Sequence, residues 1–171
     1  TREPALVRGL VAGGLVVAMF VVGRVLTGEN VAVTAGFNAS KWALDPSHSI
    51  PLLLAVLGVR VVVTSVAVGG GMVGGLFVPL LAMGAIVGSL FADLASIDDT
   101  ALYVIIGGAA FLGAGYGAPL TAVAFVAEIT GQPGFIIPGL IAVTAAVLVM
   151  KNRTVSPAQT EGHGSERQPE S

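Results

Sequence analysis

The sequence predicts an all-α integral membrane protein, and three observations carry that prediction. Of its 171 residues 54% are hydrophobic and 11% charged, with a mean hydropathy of +0.91. Soluble domains carry about 25% charged residues, so this chain cannot clothe a soluble surface. Several apolar runs reach the roughly 20 residues that cross a bilayer as a helix. Finally, glycine and proline interrupt the apolar runs inside what would be membrane, as in "GGGMVGGLFVPLLAMGA" at 69–85 and "GAGYGAP" at 113–119. Irregular backbone at that depth is tolerated only where protein buries it or where it lines a cavity.

Residues 5–26 form the first spanning run, with Gly9 and Gly13 at the spacing that lets helices approach closely. The polar stretch after it reads as a loop with a short helix at 31–39. A second span covers 50–68, with Pro51 tolerated at its start and Arg60 near its middle. A mid-membrane arginine is costly; the bland reading, that it snorkels or meets carbonyls of a broken helix, outweighs a direct role. The next helix is expected over Phe77–Leu94. An acidic turn follows, with Asp99 or Thr100 as the N-cap of another helix.

The apolar run from 101 to 130 is too long for one span, and its glycine-proline break divides it into helices at 101–114 and 118–130. A last helix covers about 133–150. Lys151 and Arg153 then favour a cytoplasmic C-terminus. Residues 1–154 therefore form the transmembrane part. Residues 155–171 read as a polar tail, disordered beyond Gln159, whose first part is compatible with a short final helix.

The net charge of −2 and the lack of a basic cluster argue against a nucleic-acid partner. With no cysteine, disulfides and thiolate metal sites are excluded. No carboxylate pair, nucleophile–base set or ligand cluster supports catalysis, so neither an enzyme nor a cofactor is expected. Glu128 reads as a helix-end structural residue, and His48 and His163 as solvated. The chain starts at Thr1 rather than methionine, which is read as a processed or cut chain.

The glycine stretch offers a binding chemistry. The first N–H groups of a helix have no internal partner, and that end carries about half a positive charge. If the helix starts near Leu76 and Phe77, Pro79 in its first turn lacks only an N–H the helix does not need. The amides of Leu76, Phe77 and Val78 then face outward, and Gly74 and Gly75 leave room for an anion to approach. A phosphate-binding loop would need a Gly-Lys-Ser/Thr ending, which is absent. The competing reading is helix packing, because Gly70/Gly74, Gly71/Gly75 and Gly84/Gly88 are all four apart. On the residues alone the two stand level.

With these residues in view, the chain resembles the C-terminal half of the CLC family of chloride channels and chloride/proton antiporters. "GGLFVP" at 74–79 is similar to that family's G-(I/L)-F-x-P signature. "YVIIGGAAFLGAGYGAPLTAVAFVAEITG" at 103–131 is similar to a second, later signature containing A-P-L-T and E-x-T. The resemblance implies one of two inverted repeats of broken, tilted helices, each protomer of a homodimer holding its own pore. It implies an anion, chloride or a similar one, coordinated by the backbone amides of Leu76 and Phe77, within an expected site of Gly75, Leu76, Phe77 and Val78, and a dimer interface formed by helices 118–150. In "TVSPAQ", Ser156 stands where the family often has an anion-contacting tyrosine; Gly117 stands where it commonly has arginine. The family's gating glutamate and remaining anion ligands belong to an N-terminal half that is missing here. A multi-pass protein of a bacterial cell membrane is implied. The alternative is a non-conducting membrane scaffold or truncated half that only packs with a partner.

Overall fold

The computed structural model describes residues 3–28, 36–45, 47–70, 75–97, 99–131 and 133–150. Seven α-helices account for nearly all of them: α1 (Glu3–Thr27), α2 (Gly36–Trp42), α3 (Ile50–Gly69), α4 (Phe77–Leu94), α5 (Thr100–Tyr116), α6 (Pro119–Thr130) and α7 (Ile136–Met150). A 3₁₀ turn, Pro133–Phe135, leads into α7. Among the described residues, four stretches are long and apolar enough to cross a membrane: Gly9–Thr27, Ile50–Gly69, Phe77–Leu94 and Pro133–Met150. Helices are the expected solution in lipid, since they satisfy every interior backbone group within the segment.

The predicted boundaries need small corrections. The short helix expected at 31–39 is found at Gly36–Trp42, and residues 31–35 lie outside the described ones. The helix expected to stop at 114 runs on to Tyr116, because Gly117 supplies a left-handed residue (φ 66°, ψ 23°) and the amide of Ala118 returns to the Gly113 carbonyl. Glycine adopts that conformation without the Cβ clash other residues meet. Ala118 then caps α6, with Pro119 in its first turn. Of the two N-cap candidates for α5 it is Asp99 that serves, its carboxylate accepting from the Leu102 amide at 3.2 Å.

α4 is the hub. It packs on α5, α3 and α2, while α5 also packs on α6 and α7, and α1 leans on α3. One core joins Leu53, Val56 and Val59 of α3 to Ala85, Ile86 and Leu90 of α4. A second joins Leu81 to Leu112, Val123, Val126, Phe135 and Val143. The outer face of α1 stays apolar and exposed, as at Leu10 and Val25, which suits contact with lipid tails, and α7 also keeps exposed apolar residues such as Ile141 and Val149.

The α4–α5 seam settles part of the glycine question. A Cβ added at Gly84 would run into the Gly107 carbonyl, one at Gly107 into the Gly84 carbonyl, and one at Gly88 into the Tyr103 carbonyl. Lipid tails are as apolar as leucine, so helices in a bilayer gain little from burial and much from such backbone approach. Gly84 and Gly88 are packing glycines. Gly70 is another, its Cβ position crowded by the side chain of Ala12 on α1.

Candidate functional site

Gly75 behaves differently. A Cβ built there meets nothing within 4 Å, so packing among the described residues does not demand a glycine at this position. Gly75 and Leu76 form the approach to α4, whose first residues are Phe77, Val78 and Pro79. Leu76 is the N-cap residue and its side chain caps nothing. The first intrahelical bond closes at the Leu80 amide, which donates to Leu76 O at 3.0 Å. Pro79 has no N–H, so the helix end presents the amides of Leu76, Phe77 and Val78 and no others. Leu76 to Leu80 are all half-buried. α3 and α6 also start without a side-chain cap, so a bare N-terminus alone does not single out α4. At α4 the bare end is joined by open flanking space at Gly75, although Gly134 ahead of α7 is likewise open.

An aromatic cluster fixes this end. The ring of Phe77 packs edge-on against Phe125 of α6, with centroids 4.6 Å apart, and lies 6.0 Å from the ring of Tyr116 at the end of α5. The α4 start and the Gly117–Ala118 break between α5 and α6 therefore sit at one level. At about 1.5 Å per residue, α6 with its 12 residues covers roughly 18 Å of a hydrocarbon core about 30 Å thick. Tyr116 and Phe125 carried no distinguishing sequence signal; only the fold brings them to Phe77.

Other expected residues fall out as follows. Ser156 and Gly74 lie outside the described residues. Arg60 is 5% exposed and engaged within the bundle, so it does not snorkel to a lipid-facing surface. Glu128 is exposed near the end of α6. His48, expected to be merely solvated, is half-buried with its ring 3.8 Å from that of Trp42 and Nδ1 3.0 Å from the Asp45 carbonyl oxygen. The Ser47 amide donates to the Asp45 carboxylate at 2.9 Å, which holds that carboxyl below its usual range. Among the described residues, no group of three or more His, Asp or Glu converges on a metal-sized site.

Apolar spanning helices, broken and brought together at an uncapped helix end, define an integral membrane protein built around interrupted helices. Residues 1–151 match the voltage gated chloride channel family, and the chain belongs to it. It is 35% identical over 125 residues to the H(+)/Cl(-) exchange transporter ClcA of Klebsiella pneumoniae (strain 342), an alignment covering 69% of this chain and 26% of that protein. It is 32% identical over 127 residues to the transporter of the same name from Salmonella typhi, covering 71% and 27% respectively. The chain thus spans about a quarter of the length of these curated relatives.

Proposed function

We propose that this chain contributes one half of an anion-transporting pore, with chloride or a similar small anion held by the backbone amides of Leu76, Phe77 and Val78 beside Gly75. The observation that carries the reading is the uncapped α4 N-terminus facing open space at a glycine that packing does not require. A helix end offers a partial charge worth about 0.3–1 kcal/mol toward an anion, up to about 2 when partly buried. That strength suits transport, since binding must be firm enough to admit an ion and weak enough to release it. A fixed lysine or arginine would hold the ion too long.

Further parts of the reading follow from the family and the exposed surfaces. The gate and remaining anion ligands belong to an N-terminal half, in keeping with the quarter of the relatives' length matched here. Leu120, Ile137, Ile141 and Leu148 present an exposed apolar face on α6 and α7, which is assigned to a homodimer interface. Met150 lines a groove with Leu80 and Gly115, next to the α4 start. Ser156, six residues further along the sequence, is assigned to the same anion. Lys151 and Arg153 favour a cytoplasmic position for that end, in the membrane of a bacterial cell. The chain works as a transporter and not an enzyme.

The test is chloride efflux from liposomes holding the complete protein, wild type beside Gly75→Val. Flux that falls at least about tenfold in the variant, with folding intact, supports the reading; this corresponds to about 1.4 kcal/mol of lost anion stabilisation. No chloride flux in the wild type would favour the non-conducting scaffold.

A further inference from the structure

Two cavities flank Lys41 on α2, and they differ in character. On one side lies a polar hollow of about 460 Å³ lined by Thr27, Asn38, Lys41, Trp42, Asp45 and His48. On the other, an apolar crevice of about 340 Å³ runs between α2, α4, α5 and α6, with Leu44, Leu81, Ala85, Ile105, Val126 and Ile129 among its walls. Lys41 is the residue common to both, and it is exposed.

The level in the membrane is fixed independently. Thr27 ends one span and Ile50 begins the next, so the hollow lies where two spanning helices leave the bilayer. Trp42, the single tryptophan of the chain, sits in its wall, as expected of an indole at the membrane interface. A polar hollow at headgroup level beside an apolar crevice leading inward has the two-part shape of a phospholipid.

The charges narrow the headgroup. Among the described residues lining it, the hollow presents one ammonium, Lys41, and one carboxylate, Asp45, with Trp42 between them in sequence and the imidazole tilted against the Trp42 ring. A lysine suits a phosphate, while a carboxylate and an indole face both suit an ammonium. An anionic headgroup without an ammonium would leave Asp45 opposing it. We propose that α2 and its neighbours form a binding site for a phospholipid with a zwitterionic phosphoethanolamine headgroup, its phosphate at Lys41, its ammonium at Asp45 and an acyl chain in the crevice. The carboxylate suits that role: the Ser47 amide donates to it at 2.9 Å and holds its carboxyl below the ordinary carboxylate value. This site is separate from the α4 helix end and does not depend on what that end binds.

The complete protein is extracted in mild detergent, exposed to equimolar phosphatidylethanolamine and phosphatidylglycerol, and the retained lipids are counted by native mass spectrometry. Wild type retains phosphatidylethanolamine about fivefold over phosphatidylglycerol, the upper size expected of one solvent-exposed ion pair. Asp45→Asn, which keeps an acceptor for Ser47, brings that ratio to about one. Ile105→Phe, a filling change at a half-buried crevice position, lowers total retained lipid without reversing the headgroup order; Ile129→Phe, at an exposed crevice position, provides a second filling variant. Equal retention of both lipids by wild type overturns the proposal, as does a preference that survives Asp45→Asn. Retention unaffected by either filling variant also overturns it, since protein and not an acyl chain would then occupy the crevice.

Discussion

The rings of Phe77 and Phe125 meet edge-on, 4.6 Å between centroids and 89° between planes. This contact ties the first residue of α4 to the middle of α6, across the break that separates α6 from α5. Edge-to-face pairs add about 0.5–1.5 kcal/mol beyond the area they bury. Its importance here is positional, because the residue it anchors also carries one of the amides assigned to the anion.

Phe125→Ala should therefore cost more than stability. With one half-buried ring removed, the expected loss is about 2–3 kcal/mol, below that for a fully buried phenylalanine. Chloride affinity should fall as well, because the α4 start loses its brace. Thermal unfolding with and without chloride separates the two: the chloride-induced rise in midpoint shrinks in the variant.

Gly75 and Gly84 give opposite outcomes for the same substitution. Gly84→Ala forces a methyl group into the Gly107 carbonyl, so α4 and α5 must separate and several kcal/mol are lost. Gly75→Ala meets open space and changes stability by less than about 1 kcal/mol. Its methyl group instead stands where an anion approaches, so chloride binding weakens. Denaturation and chloride titration of both variants check the pair. A Gly75→Ala protein as unstable as Gly84→Ala would make Gly75 a packing glycine.

At Gly117 the backbone, not the side chain, sets the requirement. With φ at 66°, alanine there costs about 1 kcal/mol or somewhat more. Asparagine, which visits this conformation more readily, should cost less. Unfolding midpoints in the order glycine, asparagine, alanine are expected. The position thus closes a helix here through conformational freedom.

Asp45 gives a pH dependence with a definite sign. Its carboxyl is held below the ordinary value near 4 by the Ser47 amide, and folding favours the ionised form. The associated stability is fully present above the unfolded value near 4 and is lost as pH falls through the lower folded value. Carboxyl chemical shifts should show Asp45 titrating below a peptide aspartate, and Asp45→Asn should abolish that part of the acid dependence.

Much of the fold was legible because membrane solvent imposes length and apolarity. Phe77–Leu94 came out at its true limits since a glycine cluster, Pro79 and the acidic turn mark both ends. The α5 end was placed two residues early because Gly113 and Gly115 look like breakers, yet both lie in the helix and face neighbours, Val143 and Leu80. Composition cannot tell a packing glycine from a terminating one. Nor could it divide the glycines between packing and binding, which depends on what stands opposite each. The Trp42–His48 stack was hidden for the same reason: the Asp45–Ser47 turn brings together residues six apart that share no helical face.

The central claim is that the start of α4 holds an anion through its backbone, and amide hydrogen exchange at Leu76, Phe77 and Val78 tests it most directly. The complete protein is compared in chloride and in an equal concentration of a bulky, non-transported anion. Slower exchange at these three amides in chloride, with the Gly84–Gly107 seam unchanged, is the predicted result. Identical exchange in both media would contradict the claim and leave Gly75 without an anion-binding role.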